Sequence, residues 1–73
     1  MQKTFELRGE YIALCDLLKI CGVADSGGAA KHLVAEGGIA VDGQQELRKT
    51  CKIRPGSRVS GTGFAIDVVA AGD

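Results

Sequence analysis

The 73-residue sequence has no tryptophan, one tyrosine, two phenylalanines, one proline and one histidine. So few aromatics leave little on which bases could stack, which argues against an RRM or another single-strand reader. The lone His32, with Asp16 and Asp25 on different elements, forms no Ser-His-Asp or Cys-His constellation, so no catalytic residue is assigned. No apolar run approaches the ~20 residues of a membrane-spanning helix. The opening MQKTFELRGE carries charges where an export signal needs an apolar stretch, so a cytoplasmic protein without membrane association is expected.

Cysteine is scarce and odd in number: Cys15, Cys21 and Cys51 cannot form a closed disulfide framework. On one helix, Cys15 and Cys21 would stand ~9 Å apart along the axis and about 120° apart around it, too far for a disulfide or a shared metal. Together with His32 the three cysteines would nominally complete four zinc ligands, but no C-x-x-C spacing is present. The reading therefore includes no metal and no cofactor, and takes the thiols as buried apolar groups in a reducing compartment.

What is present suits one small domain, residues 1–73, with 45% hydrophobic and 25% charged residues and a thin core. The net charge is zero, yet it is unevenly placed. Residues 47–66 hold five bases (Arg48, Lys49, Lys52, Arg54 and Arg58) and no acid, while the rest holds four bases and nine acids. Such asymmetry fits an anionic partner. It fits equally a solvated strand edge blunted against aggregation.

Alternation in residues 3–8 predicts a strand through Phe5 and Leu7. Leu14, Leu17, Leu18 and Cys21 recur at helical spacing and predict a helix over 10–21 stopped by Gly22, with Ile12 exposed on its far side. Asp25 or Ser26 caps a second helix reaching about Glu36, with Ala30, Leu33 and Val34 inward and Gly28, Lys31, His32 and Ala35 outward. Ile39-Ala40-Val41 before Asp42-Gly43 predicts a hairpin whose return strand spans 44–47. Pro55-Gly56 marks a turn, and strands over 58–60 and 64–70 follow. The class is α+β: two packed helices followed by a small sheet of short, mainly antiparallel strands.

Two features suit anions. Ser26-Gly27-Gly28 opens the second helix, where free N–H groups and the helix dipole favour a phosphate, although the Gly-Lys-Ser/Thr ending of a nucleotide-binding loop is missing. The second is the basic stretch. In a continuous strand, alternation would put Lys52, Arg54 and Arg58 on one face, with Arg48 able to join. Five phosphate contacts to single-stranded RNA would give a log–log salt slope of about −3.5, or roughly 100-fold weaker binding between 50 and 200 mM salt. His32 reads either as an ordinary surface residue or as a contact beside Lys31.

Residues 26–43, SGGAAKHLVAEGGIAVDG, are similar to the central motif of the alpha-L RNA-binding domain first described in ribosomal small-subunit protein four. Leu14-Cys15-Asp16-Leu17-Leu18-Lys19 resembles that family's first helix, and Ile53-Arg54-Pro55-Gly56 its closing turn. Glu46-Leu47-Arg48-Lys49 with Lys52 looks like the short standalone bacterial members of the YbcJ type. The resemblance covers about residues 12–60. It implies an alpha-L fold that binds structured RNA through helix two and the basic loop or strand, at Ser26, Lys31, His32, Arg48, Lys49, Lys52 and Arg54. Gly27 stands where many members carry Arg, and Leu14 where many carry a basic residue, which removes cations from the surface the family uses. Asp42 replaces a usual Asn, and Ser57 a usual Asp.

The resulting expectation is a monomeric, non-enzymatic RNA-binding protein acting on ribosomal or transfer RNA in translation, alone or with a protein partner. A protein-interaction adaptor that uses exposed Ile12 and the acidic half is the alternative. A β-grasp sulfur carrier comes third, because the chain ends Ala71-Gly72-Asp73 where such carriers need a terminal Gly-Gly.

Overall fold

The computed structural model describes residues 1–72; Asp73, on which the sulfur-carrier comparison turns, lies outside them. The elements are β1 (Gln2–Leu7), β2 (Ile12–Ala13), α1 (Leu14–Ile20), α2 (Gly27–Ala35), β3 (Ile39–Val41), β4 (Gln44–Gln45), β5 (Lys52–Ile53), β6 (Arg58–Gly61) and β7 (Phe64–Ala70). Five strands form one sheet in the order β1-β7-β6-β3-β4, and β2 pairs with β5 in a separate two-stranded ribbon. All pairings are antiparallel except β1 on β7. The class is α+β, with the first strand closing the sheet against the last.

The core is one cluster drawn from every layer. Leu14, Leu17 and Leu18 of α1, Ala30 and Val34 of α2, and Ile39, Ile53, Val59, Ile66 and Val68 of the strands are all essentially inaccessible. The spacing that predicts the helices is thus the spacing that buries them. Ser26 caps α2, its Oγ accepting the Ala29 N–H at 3.1 Å. Asp42 (φ 52°) and Gly43 (φ 83°) take the left-handed conformations of a type I′ hairpin turn. Gly61 is demanded by packing: a Cβ there would lie 2.8 Å from the Gly38 carbonyl oxygen and 2.9 Å from Phe64 Cζ.

Three expectations are corrected. The first helix starts at Leu14, not residue 10, because Ile12 and Ala13 are extended and pair with Ile53 and Lys52. Ile12 is accordingly packed against the core rather than exposed, which removes it from the adaptor argument; Ile20, at 61% exposure, is the open apolar residue of α1. The return strand of the hairpin stops at Gln45 instead of 47. The third correction concerns the basic stretch, which forms no continuous strand: β5 is two residues long, and Arg58 lies beyond the Pro55-Gly56 turn on the other sheet.

Candidate nucleic-acid interface

The reason for that last correction is the N-terminus of α1. Ala13 supplies no side-chain cap, so the first amides of the helix need other acceptors. Leu14 N–H donates to the Cys51 carbonyl at 2.9 Å and Cys15 N–H to the Lys49 carbonyl at 3.0 Å. Cys51 N–H closes a turn onto the Arg48 carbonyl at 3.1 Å. With these groups spent on capping a helix, residues 48–51 cannot join a strand ladder; Arg48, Lys49 and Thr50 are exposed while Cys51 packs against the core, and with Lys52 they line a recess.

The five bases of this region meet different fates. Arg48 is held by Glu46: its Nε donates to Oε2 at 3.0 Å, its Nη2 to Oε1 at 3.1 Å, and its backbone N–H to Oε2 at 3.0 Å. These bonds pull the Glu46 carboxyl down to about 2. Arg48 Nη2 also reaches Cys51 Sγ at 3.8 Å. Cys51 is half-buried, not buried as expected, and burial, with Glu46 alongside, pushes its thiol up, so it stays a protonated neighbour rather than a nucleophile. Arg58 sits between acids: its N–H donates to Asp42 Oδ1 at 2.8 Å and its Nη1 lies 3.5 Å from Asp67 Oδ1. The expected shared face of Lys52, Arg54 and Arg58 is therefore not formed.

Lys49, Lys52 and Arg54 remain, all exposed. Among the described residues no carboxylate lies within ion-pair distance of them or of Lys31. Lys52 and Arg54 share a neighbour that sequence reasoning missed. Lys52 Nζ lies 5.0 Å, and Arg54 Cζ 6.0 Å, from the centre of the Tyr11 ring, which is 47% exposed. The register Ile12↔Ile53, carried one residue further, sets Tyr11 beside Arg54. A strand at 12–13 would have revealed the pairing, but two residues carry no periodicity.

On α2, Lys31 and His32 face outward as the stripe predicts, with His32 Nε2 bonded to Glu36 Oε1 at 2.7 Å. A side chain at Gly27 would meet open space, so the small residues at this helix start are not required by packing. Leu14, by contrast, is fully buried, so no surface cation is lost at that position. The basic loop docks at one end of α1 and the turn into α2 leaves from the other, ~10 Å away by helix rise. Among the described residues no three His, Cys, Asp or Glu side chains converge as a metal would need, and no helix is long and apolar enough to cross a membrane.

Residues 5–69 match the model of the S4 domain family. The chain is similar to YbcJ of Escherichia coli strain K12 and to YbcJ of Shigella flexneri, 48% identical to each over 68 residues that span 92% of this chain and 97% of either relative. The solution structure of the Escherichia coli protein, which revealed an alpha-L motif involved in RNA binding, aligns with a TM-score of 0.73 over 92% of this chain and 86% of that one.

Proposed function

Since the chain belongs to the S4 domain family, we propose that it acts as one non-enzymatic RNA-binding domain that takes structured RNA in the cytoplasm. The resemblance to ribosomal small-subunit protein four points to ribosomal or transfer RNA, and so to translation. The observation that carries the reading is the trio Lys49, Lys52 and Arg54, exposed and, among the described residues, without a carboxylate in ion-pair reach, Lys49 on the loop locked to α1 by its carbonyls and the other two on and just after β5. Lys31 and the first amides of α2, at Gly27 and Gly28 beside the Ser26 cap, extend the surface. His32 lies at its margin, tied to Glu36.

Arg48 and Arg58 are left out, because Glu46 and Asp67 already hold them. Four available cations in place of five give an expected log–log salt slope of about −3. Replacing Lys49, Lys52 and Arg54 together with Ala abolishes binding to folded RNA in a gel shift, while stability changes by no more than ~1 kcal/mol because exposed charges contribute little to folding. Binding that survives the triple change moves the site elsewhere. No binding by the wild-type chain at 50 mM salt would bring the adaptor reading forward, with Ile20 as its contact.

A further inference from the structure

We infer that Tyr11 is a stacking platform for an unpaired base, so that the RNA this surface selects is a helix interrupted by a nucleotide outside the stack. The inference rests on the RNA-binding reading and narrows its substrate. Phe5 and Phe64 are packed against the core, which leaves Tyr11 as the one aromatic with an open ring among the described residues. Packing does not explain it. The β2–β5 ribbon is anchored by Ile12 and by Ile53, the latter fully inaccessible, whereas nearly half of Tyr11 stays in solvent.

What surrounds the ring is the second part of the argument. The two cations beside it, Lys52 and Arg54, are members of the trio assigned to phosphates. One nucleotide can therefore set its base on Tyr11 and its flanking phosphates on Lys52 and Arg54. Exposed cation–π contacts are weak, so an arriving phosphate draws these side chains off the ring and opens its face. A continuous A-form helix keeps its bases stacked inside and gains nothing from an aromatic side chain; only a bulged, looped or terminal base does.

The test compares two RNA hairpins of identical stem, one fully paired and one with a single unpaired 2-aminopurine, against the full chain and its Tyr11→Phe and Tyr11→Ala variants. The wild-type chain binds the bulged hairpin about five- to 150-fold more tightly, the range for stacking of one base. Tyr11→Phe keeps that preference and the change in 2-aminopurine fluorescence. Tyr11→Ala loses both yet binds the paired hairpin like the wild type, with the same salt slope, which also shows that it is folded. Equal weakening on both hairpins would overturn the inference by making Tyr11 a mere support for Lys52 and Arg54. A wild-type chain with no preference between the hairpins would overturn it too, while leaving RNA binding intact. A wild-type chain that binds neither would remove the RNA reading itself and the inference with it.

Discussion

A basic side chain counts toward a polyanion site only if nothing in the protein has claimed it first. Arg48 shows the difference. It lies in the stretch with no acid, but Glu46, just outside that stretch, takes it in a two-pronged hydrogen-bonded pair. Because the carboxyl is held at about 2 in the folded chain, below its ordinary 4.5, the pair's stabilisation is present above the ordinary carboxylate range and is lost as pH falls through about 2. The pair thus stays ionised throughout neutral and mildly acidic conditions. An NMR titration of the Glu46 side chain is expected to give a midpoint near 2 that rises in Arg48→Met without reaching the ordinary range, because the backbone N–H of residue 48 still donates to the carboxylate. Releasing the arginine by Glu46→Ala is expected to strengthen RNA binding and to steepen the log–log salt slope by about 0.7 to 0.9, the value of one added phosphate contact. An unchanged slope in Glu46→Ala would show that the freed guanidinium does not reach the RNA.

Among the elements, α1 depends most on its surroundings. Seven residues form few intrahelical bonds, and isolated helices of that length do not persist in water. The carbonyls of Lys49 and Cys51 supply the missing cap, and Ile53 anchors the ribbon that holds them there. Hydrogen exchange is therefore expected to be slow at the Leu14 and Cys15 amides, although they begin a helix, and fast at Gly27 and Gly28, which begin α2. Ile53→Ala, a fully buried truncation, is expected to cost ~2–5 kcal/mol and to speed exchange at Leu14 and Cys15. The features visible in the sequence are those with a side-chain signature: the Leu14-Leu17-Leu18 stripe, the Ser26 cap, the Asp42-Gly43 turn and the Pro55-Gly56 turn. The loop's grip on α1 runs through backbone carbonyls that any residue would offer, so no residue type announces it. The same blindness hides Tyr11. Its partners are set by a two-residue strand, and without that strand it reads as the start of a helix. Lys49, Lys52 and Arg54 were legible as charges, but which bases were already neutralised was a matter of folded geometry.

At the scale of the whole molecule, the parallel pairing of β1 with β7 ties the two ends of the chain into one sheet, whose inner face shares a cluster with both helices and with Ile53 of the ribbon. Among the described residues the buried side chains of all these elements form one cluster. With typical stabilities near 0.05–0.15 kcal/mol per residue, a chain of this size has roughly 4–11 kcal/mol in total, so losing one well-packed position is felt everywhere. Gly61→Ala illustrates this: the added methyl meets the Gly38 carbonyl where β6 faces β3, and a cost of ~1–3 kcal/mol is expected in chemical denaturation. Cooperativity can be read directly, because the sequence has no tryptophan and one tyrosine. Tyr11 fluorescence reports the ribbon beneath the basic loop, and far-UV circular dichroism reports the helices and the large sheet. If the shared cluster makes the chain a single unit, the two signals follow one denaturation curve with one midpoint. The Lys49, Lys52 and Arg54 triple variant should keep that coincidence, since its changes lie outside the core. Loss of the tyrosine signal before the helices melt would instead mean that the ribbon and its basic loop open on their own. The RNA-facing surface would then be a locally ordered segment, and binding would carry the cost of folding it.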